Sequence, residues 1–220
     1  TVKGNDRFHS LTPALMTTPS STRVECVAAG DYHVLALTHT GAVLSFGLGV
    51  PGQLGHGDEG DQREPRVIET LHGMRVVAIA AGYCHSMALT DEGEVLSFGL
   101  GVLGQLGHGN EELLRKPKVI EALRGVRVVA IAARKYHSMV LTDDGTVLSF
   151  GNGEGGKLGH GDEKLQRKPK VIEALRGVRV VAIAAGATHS MVLTDEGEVL
   201  SFGYGYDGQL GHDNAMDQLT

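Results

Sequence analysis

The sequence of 220 residues has no tryptophan, two cysteines and no apolar run long enough for a membrane-spanning helix, which takes about 20 residues. The cysteines, Cys26 and Cys84, fit neither a disulfide framework nor a zinc pattern. Their scarcity suits a reducing compartment, either cytoplasmic or nuclear. The N-terminus also lacks the apolar core of a signal peptide. The sequence therefore predicts an intracellular protein with no membrane span.

Positive charge is scarce as well. The chain has 20 basic and 26 acidic side chains, and its formal net charge is −6. Because nucleic-acid-binding domains usually show a basic excess, no nucleic-acid partner is expected. Aromatic residues make up 5% of the chain, whereas glycine occurs 32 times, a composition typical of strands and tight turns. A chain of this length can bury the core of one domain.

Internal repetition is the dominant feature of the sequence. Each of four units is 52 residues long, and a phenylalanine followed by glycine ends a strand-like run in every unit, at Phe46, Phe98, Phe150 and Phe202. A histidine recurs with the same step, at His33, His85, His137 and His189. Fixed periods of this size indicate a propeller, a solenoid or an array.

One unit contains four strand-like segments. Residues 76–82 and 85–90 are followed by an Asp-Glu-Gly turn and by a third run at 94–99. After a long glycine-rich loop, Pro117–Ile120 predicts a short fourth strand, and the proline at its start suits an outer edge. No window of the unit keeps a helical period. Four antiparallel strands per unit are typical of a β-propeller blade, so the predicted class is all-β.

The repeat also predicts where the blades lie. Residues 1–220 form one propeller segment, and residues 1–23 are a lead-in that contains an outer strand of a preceding blade at Pro13–Met16. The four predicted blades are 24–69, 76–121, 128–173 and 180–220. The last of these is expected to lack its outer strand.

The motifs that would suggest chemistry have simpler explanations. Gly-x-Gly-x-x-Gly occurs in every unit, as at Gly99, Gly101 and Gly104, but Gln-Leu-Gly-His follows it and cannot continue the helix that a dinucleotide site needs. No cysteine or clustered carboxylate accompanies the histidines, and no nucleophile–base–orienter set is visible. The sequence therefore predicts no enzyme activity, no metal and no cofactor. The recurring histidines and phenylalanines are predicted to be structural, with the four phenylalanines at equivalent buried sites.

Variation between units is concentrated at one end of the blades. If the first strand of each unit runs upward, its following turn and the long glycine-rich loop lie at the upper end. All five tyrosines fall in these upper segments. The predicted partner-binding residues are Tyr32, Tyr83, Arg134, Lys135, Tyr136, Tyr204, Tyr206 and Asp207. Tyrosine and arginine are favoured at protein interfaces, although exposed turns also drift without function. At the lower end, an arginine and an aspartate recur at equivalent positions of the units, as at Arg127 and Asp143. This recurrence predicts a repeated charge pairing between the two side chains.

The unit resembles the regulator of chromosome condensation repeat family. The resemblance rests on Ala-Gly-x-x-His-Ser, then Asp-x-Gly-x-Val-x-x-Phe-Gly, then Gly-x-Gly-x-x-Gly-Gln-Leu-Gly-His-Gly. It covers nearly the whole chain and implies β-propeller blades, usually seven to a ring. Four units would then be part of a larger ring, or an unusual smaller ring. Open blade edges invite pairing with another chain.

The resemblance implies three kinds of function. The first is a non-enzymatic module or scaffold that presents a loop-rich face to a protein partner. Alternatives are a guanine-nucleotide exchange factor for a small GTPase and the repeat domain of a ubiquitin ligase. The family's exchange activity depends on a projecting loop, for which the strict 52-residue spacing leaves no room. Light sensing by a tryptophan cluster, as in a related plant photoreceptor, is excluded for this segment because it has no tryptophan.

Overall fold

A computed structural model describes residues 22–212, which form four successive antiparallel sheets, numbered here as blades one to four. Blade one contains β1 (Val24–Ala29), β2 (His33–Thr38), β3 (Val43–Gly47) and β4 (Gln62–Val67). Blade two contains β5 (Val76–Ala81), β6 (His85–Thr90), β7 (Val95–Gly99) and β8 (Leu114–Val119). Blade three contains β9 (Val128–Arg134), β10 (His137–Thr142), β11 (Val147–Gly151) and β12 (Gln166–Val171). Blade four contains β13 (Val180–Ala185), β14 (His189–Thr194) and β15 (Val199–Gly203) within the described residues.

Every sheet is a meander in which neighbouring strands follow one another along the chain. Short 3-10 turns lead from one blade to the next, at Glu69–Leu71, Glu121–Leu123 and Glu173–Leu175. One more 3-10 turn, Glu154–Gly156, lies in the long loop of blade three. The all-β prediction of repeated propeller blades is confirmed by this arrangement.

The hydrophobic core lies between the blades, since each sheet packs its face against the next sheet. Met87 and Ile120 of blade two, for example, share a buried cluster with Val140 and Phe150 of blade three. Equivalent clusters join blade one to blade two and blade three to blade four. The first strands of neighbouring blades also contact one another, so the alanine-rich strands lie innermost. Each blade therefore depends on its neighbour for burial of its apolar side chains.

The fourth strand is longer than the sequence predicts. β8 begins at Leu114, so Pro117 is its fourth residue rather than its first, and Ile120 lies beyond its end. The pairing with β7 shifts between the Ser97–Lys118 and Gly99–Leu114 pairs. Pro117 sits within this irregular stretch, where the absence of a backbone N–H removes no regular ladder bond. The predicted preceding strand, Pro13–Met16, lies outside the described residues.

Three of the four recurring phenylalanines are fully enclosed. Phe98 and Phe150 are 0% exposed and Phe202 is 3% exposed. The loop of the preceding blade covers each ring so closely that a Cβ on Gly107 would lie 2.9 Å from Cε2 of Phe150. Phe46 is only partly buried. The equal burial expected for all four rings therefore does not hold for Phe46.

The lower hairpin turns repeat one backbone pattern. In blade two, the amide of Gly93 donates to the Thr90 carbonyl at 3.0 Å, and the Thr90 hydroxyl accepts from the Glu94 amide at 3.1 Å. The predicted charge pairing at this end was wrong for the described residues. The amide of Asp143 donates to the carbonyl of Arg127 at 3.0 Å, whereas their side chains form no ion pair. What recurs at these positions is therefore a backbone hydrogen bond. It joins the hairpin turn that contains the aspartate to the connection between blades that contains the arginine.

Candidate functional site

A histidine and a serine link each blade to the next, just below the upper turns. His85 Nε2 lies 3.0 Å from Ser138 Oγ, and this hydroxyl donates to the Gln105 carbonyl at 2.8 Å. Because the serine hydrogen is used by the carbonyl, the His85 Nε2–H donates to the serine oxygen. The same chain of hydrogen bonds recurs in the sets His33–Ser86–Gln53 and His137–Ser190–Lys157. These histidines therefore join neighbouring blades.

Burial keeps the linking histidines neutral. It lowers the pKa of His85 and of His137 to about 3. Burial also lowers the pKa of His33 to about 4, although the nearby Asp31 carboxylate opposes this shift. The ring lies so close to the turn that a Cβ on Gly82 would be 2.1 Å from Cε1 of His85. The glycine is needed at this turn because the histidine ring occupies the space of a side chain.

A second histidine in each unit closes the long loop. His108 Nε2 lies 3.0 Å from Ser97 Oγ, and Ser97 donates to the Leu106 carbonyl at 2.7 Å. The equivalent pairs are Ser45–His56, Ser149–His160 and Ser201–His212. Burial lowers the pKa of His108 to about 4, and the Lys118 cation acts in the same direction. The long loops are thus anchored and do not depend on a partner for their shape.

Three of the predicted binding residues meet as a ridge across blades one to three. The rings of Tyr32 and Tyr83 are 5.2 Å apart, measured between centroids, and cross at 79°. The rings of Tyr83 and Tyr136 are also 5.2 Å apart, at 53°. We call Tyr32, Tyr83 and Tyr136 the tyrosine ridge. Both contacts have the edge or tilted geometry that aromatic pairs prefer. The structure therefore brings these three side chains into one continuous aromatic surface.

A hydrogen bond also connects two ridge hydroxyls. The Tyr32 and Tyr83 oxygens lie 3.4 Å apart, and this bond raises the pKa of Tyr83 to about 12. Tyr32 is 51% exposed and Tyr83 is partly exposed, so the ridge remains accessible to another molecule. One of the two hydroxyls donates to the other, which leaves one O–H that can donate to a partner.

The turn of blade three differs from the other three turns. Arg134 replaces the glycine that begins each of those turns, and β9 extends through it. Its guanidinium pairs with the Asp31 carboxylate of blade one at 3.1 Å. Lys135 follows with a φ of 45°, a conformation that favours glycine or asparagine over lysine. Its carbonyl accepts from the Tyr83 amide at 3.0 Å, so this turn is tied to both blade one and blade two.

The remaining predicted residues form a separate group on blade four. The rings of Tyr204 and Tyr206 are 6.3 Å apart, and Tyr206 is 70% exposed. Asp207 is also exposed in the same loop. Tyr204 approaches the blade-three loop, where a Cβ on Gly155 would lie 3.4 Å from the Tyr204 Cβ. Among the described residues, the rings of Tyr204 and Tyr206 contact each other and not the rings of the tyrosine ridge, so the eight predicted residues fall into two groups.

Two residues of the upper end were missed by the sequence prediction. Asp31 pairs with Arg134, as described above. Lys157 is 4% exposed and stands where the other units have Gln53, Gln105 and Gln209. Burial lowers its pKa, with the Lys135 cation acting in the same direction. A comparison of the four equivalent positions in the sequence would have found Lys157, because three of them hold glutamine and only this one holds a cation.

Residues 2–220 match the family model of the RCC1-like domain. The chain belongs to this family. It is similar to human E3 ubiquitin-protein ligase HERC2, with 40% identity over 202 residues that cover 91% of this chain and 4% of the relative. It is also similar to the ultraviolet-B receptor UVR8 of Arabidopsis thaliana, with 38% identity over 90% of this chain and 45% of the relative. The chain thus spans less than half the length of these curated relatives.

Solved structures show the same blade architecture. Prp20p from Saccharomyces cerevisiae superposes with a TM-score of 0.82 at 28% identity, over 95% of this chain and 52% of that chain. Human WBSCR16 gives a TM-score of 0.78 at 32% identity, over 90% of this chain and 51% of that chain. The predicted family resemblance is therefore confirmed. In the part of the chain that the structure describes, no helix is long and apolar enough to cross a membrane.

Proposed function

We propose that this segment is a non-enzymatic protein-interaction module that binds its partner with the upper ends of its blades. The tyrosine ridge carries the proposal, because it forms one continuous aromatic surface across three blades. Arg134 lies beside it on the same turns, and tyrosine and arginine dominate the energetically important centres of interfaces. Loops on a rigid sheet framework are a common way to build such a surface.

The hydrogen bonds of the two histidine series support binding rather than catalysis. A serine nucleophile needs a base that accepts its proton. Here Ser138 donates its hydrogen to the Gln105 carbonyl, and Ser97 donates to the Leu106 carbonyl. The neighbouring histidine nitrogens act as donors, so neither serine is activated. The histidine Nε2–H and serine O–H groups are thus used in holding the blades and loops.

Guanine-nucleotide exchange is the first alternative, since Prp20p is described with binding properties to Gsp1p and histones. The upper loops between the third and fourth strands each contain 14 residues, at 48–61, 100–113 and 152–165. Their equal length leaves no inserted wedge in these three blades. Exchange activity would therefore need a part of the protein outside this segment.

The second alternative is the repeat domain of a ubiquitin ligase, and the 40% identity with HERC2 favours it. In that setting the segment would bring a partner protein to the ligase and would not carry out transfer itself. We further propose an intracellular location, cytoplasmic or nuclear. Fluorescence microscopy of the full-length protein tests the location, and an exclusively extracellular signal would contradict it.

Association through a terminal blade face is also part of the proposal. Leu193 and Val199 of blade four are 36% and 57% exposed, whereas the equivalent Leu141 and Val147 of blade three are 2% and 1% exposed. A further blade or a second chain is expected to cover this apolar face. Light scattering of the segment alone should show association that Val199→Asp reduces. A compact, stable monomer would contradict this part of the proposal.

Affinity capture with the full-length protein tests the binding proposal. We expect wild-type protein to retain partners, identified by mass spectrometry, that a Tyr83→Ala/Tyr136→Ala variant loses. A matched lower-end variant, Asp91→Ala/Asp143→Ala, should retain them. Circular dichroism of all three proteins controls for folding. Loss of the same partners from the lower-end variant alone would overturn the assignment of the upper face.

A further inference from the structure

The upper turn of blade three cannot have the conformation of the other three turns. Each of those turns begins with glycine, whose amide donates to the carbonyl of the histidine three residues later at 2.9 Å. A Cβ on Gly82 would lie 2.1 Å from Cε1 of His85, so the common turn has no room for a side chain at its first position. In blade three Arg134 holds this position, and it pairs with His137 in the extended ladder of β9 and β10. The arginine therefore forces a different turn.

The altered turn directs its backbone towards blade two. Lys135 has a φ of 45° and is the one non-glycine residue with a positive φ among residues 22–212. Such a conformation is unfavourable for lysine and persists only where surrounding contacts hold it. Here the Lys135 carbonyl accepts from the Tyr83 amide at 3.0 Å. Within the described residues, the equivalent bond is absent between the turns of blades one and two and between those of blades three and four.

The side chain of Arg134 reaches a blade that is not its neighbour. Its Nη1 lies 3.1 Å from Oδ1 of Asp31, so the ion pair joins blade three to blade one past the turn of blade two. We call this pair and the bond between Lys135 and Tyr83 the strap. The two charged side chains are 41% and 34% exposed, and a single ion pair of this kind adds little to folding stability. The strap is therefore expected to orient the turns and not to stabilise the blades.

Every contact of the strap adjoins a ring of the tyrosine ridge. Asp31 directly precedes Tyr32, and Lys135 directly precedes Tyr136. The middle ring belongs to Tyr83, whose own amide donates to the strap. Because the backbone is held next to all three rings, the strap limits how far one ring can move from the next. The separations of 5.2 Å between ring centroids depend on these positions.

We propose that Asp31 and Arg134 are positioning residues that hold the tyrosine ridge in one arrangement before a partner binds. The proposal rests on the proposed function and adds how the binding surface is kept in order. A surface whose side chains are already ordered loses less conformational entropy when it binds. The strap thus raises the affinity for a partner without contacting it. The histidine–serine links join the strands, whereas the strap joins the turns above them.

Direct contact between Arg134 and the partner would give a different pattern of variants. If Arg134 itself bound the partner, Asp31→Asn would release the guanidinium and leave the affinity unchanged or higher. If the strap positions the ridge, Asp31→Asn and Arg134→Gly remove the same ion pair and weaken binding alike. The double variant should then bind no more weakly than either single variant, since residues that act as one unit are not additive.

Hydrogen–deuterium exchange in the unbound full-length protein tests the strap itself. Arg134→Gly restores the residue of the other turns and should speed exchange of the Tyr83 amide about tenfold or more. Asp31→Asn should speed it in the same direction. Lys135→Gly keeps the carbonyl and favours a positive φ, so exchange should change less than about twofold. Arg124→Gln is the matched control, since it breaks an exposed ion pair with Glu121 at the lower end and should have no effect.

Titration of a captured natural partner tests the consequence for binding. Arg134→Gly and Asp31→Asn should each weaken the affinity about tenfold or more, and Arg134→Lys, which keeps a cation, should recover part of the loss. Lys135→Gly and the Arg124→Gln control should change it less than about twofold. Circular dichroism of every variant checks that the blades remain folded.

Three results would overturn the proposal. These are unchanged exchange of the Tyr83 amide in Arg134→Gly, wild-type affinity of Asp31→Asn, or an equal loss of affinity for the Arg124→Gln control. If Tyr83→Ala weakens the partner but both strap variants bind normally, the ridge is the interface and the positioning proposal is wrong. If Tyr83→Ala binds normally, the proposed function itself fails.

Discussion

The upper and lower ends of the blades are built from the same repeat but have diverged to different degrees. At the lower end, amides at Gly93, Gly145 and Gly197 donate to the preceding threonine carbonyls at 3.0, 3.0 and 3.1 Å. At the upper end, three turns share a bond from the glycine amide to the histidine carbonyl at 2.9 Å, whereas the blade-three turn begins with Arg134. The lower end therefore repeats the same backbone contacts from blade to blade, whereas the upper end has contacts in blade three that the other blades lack.

This difference separates the framework from the surface that it displays. The histidine–serine links and the buried phenylalanines hold neighbouring blades together regardless of which residues occupy the upper turns. The upper turns then accommodate tyrosine, arginine and a strained lysine, and the strands below change only in that β9 is one residue longer than the other first strands. Changes in the framework should alter stability, changes in the upper turns should alter binding, and changes in the lower turns should alter neither.

The largest expected effect is loss of framework stability in mild acid. In the unfolded chain, His85 and His137 titrate near the ordinary pKa of 6.5, but in the folded protein their pKa is about 3. The unfolded state therefore binds more protons between these values, so stability is complete above pH 6.5 and falls as the pH drops towards 3. The loss by about pH 4.5 should be on the order of several kcal/mol.

Urea unfolding measured at a series of pH values checks this acid effect. A free energy of unfolding that stays constant between about pH 6.5 and 4.5 would contradict the neutral, buried state of the linking histidines.

Truncation of an enclosed phenylalanine should be the next largest effect. Phe150→Ala should cost about 3–5 kcal/mol of unfolding free energy, because it leaves a cavity between blades two and three. Phe46→Ala should cost clearly less, since the Phe46 ring is only partly buried. Chemical denaturation of both variants measures the difference, and equal losses would mean that Phe46 is also enclosed in solution.

Substitutions in the upper turns should reduce binding by about 2 kcal/mol, which corresponds to roughly thirtyfold in affinity. Tyr83→Ala removes the central ring of the ridge, and Arg134→Ala removes the pair with Asp31. Calorimetric titration with a captured partner measures the affinities. Unfolding curves of the same variants should stay close to wild type, and an equal loss of stability would assign these residues to the framework instead.

The smallest effects are expected at the lower end. Arg127→Ala and Asp143→Ala change exposed side chains that form no ion pair in the part of the chain described. Each should alter partner affinity by less than about 0.5 kcal/mol. Losses as large as those of Tyr83→Ala in the same titration would remove the distinction between the two ends.

The sequence predicted the elements that depend on local patterns. Alternation and the Asp-Glu-Gly turn located β6 and β7, and the recurring Phe-Gly pair located the buried rings. The predicted start of β8 was wrong because it was placed at the proline. Proline is tolerated at the start of a strand and also within an irregular part of a ladder, where it lies here. A recurring arginine and aspartate suggested ion pairs, although the contact that recurs is between backbone groups.

The contacts of the candidate site could not be derived from the repeat. Tyr32 and Tyr83 occupy different positions within their units, and whether they meet depends on the rotation between blades. Arg134 reaches Asp31 across two units, a distance that no local pattern encodes. The serine partner of His85 likewise lies in the next blade. The repeat period shows which residues are equivalent in different blades. Which side chains of two neighbouring blades touch depends on how the blades pack.

Hydrogen–deuterium exchange on the wild-type protein, with and without a captured partner, tests the central claim most directly. The account predicts that partner binding slows exchange in the upper turns at 30–33, 82–85 and 134–137. It also predicts unchanged exchange in the lower turns at 91–93 and 143–145. Protection of the lower turns with no change in the upper turns would contradict the assignment of the tyrosine-bearing end as the binding face.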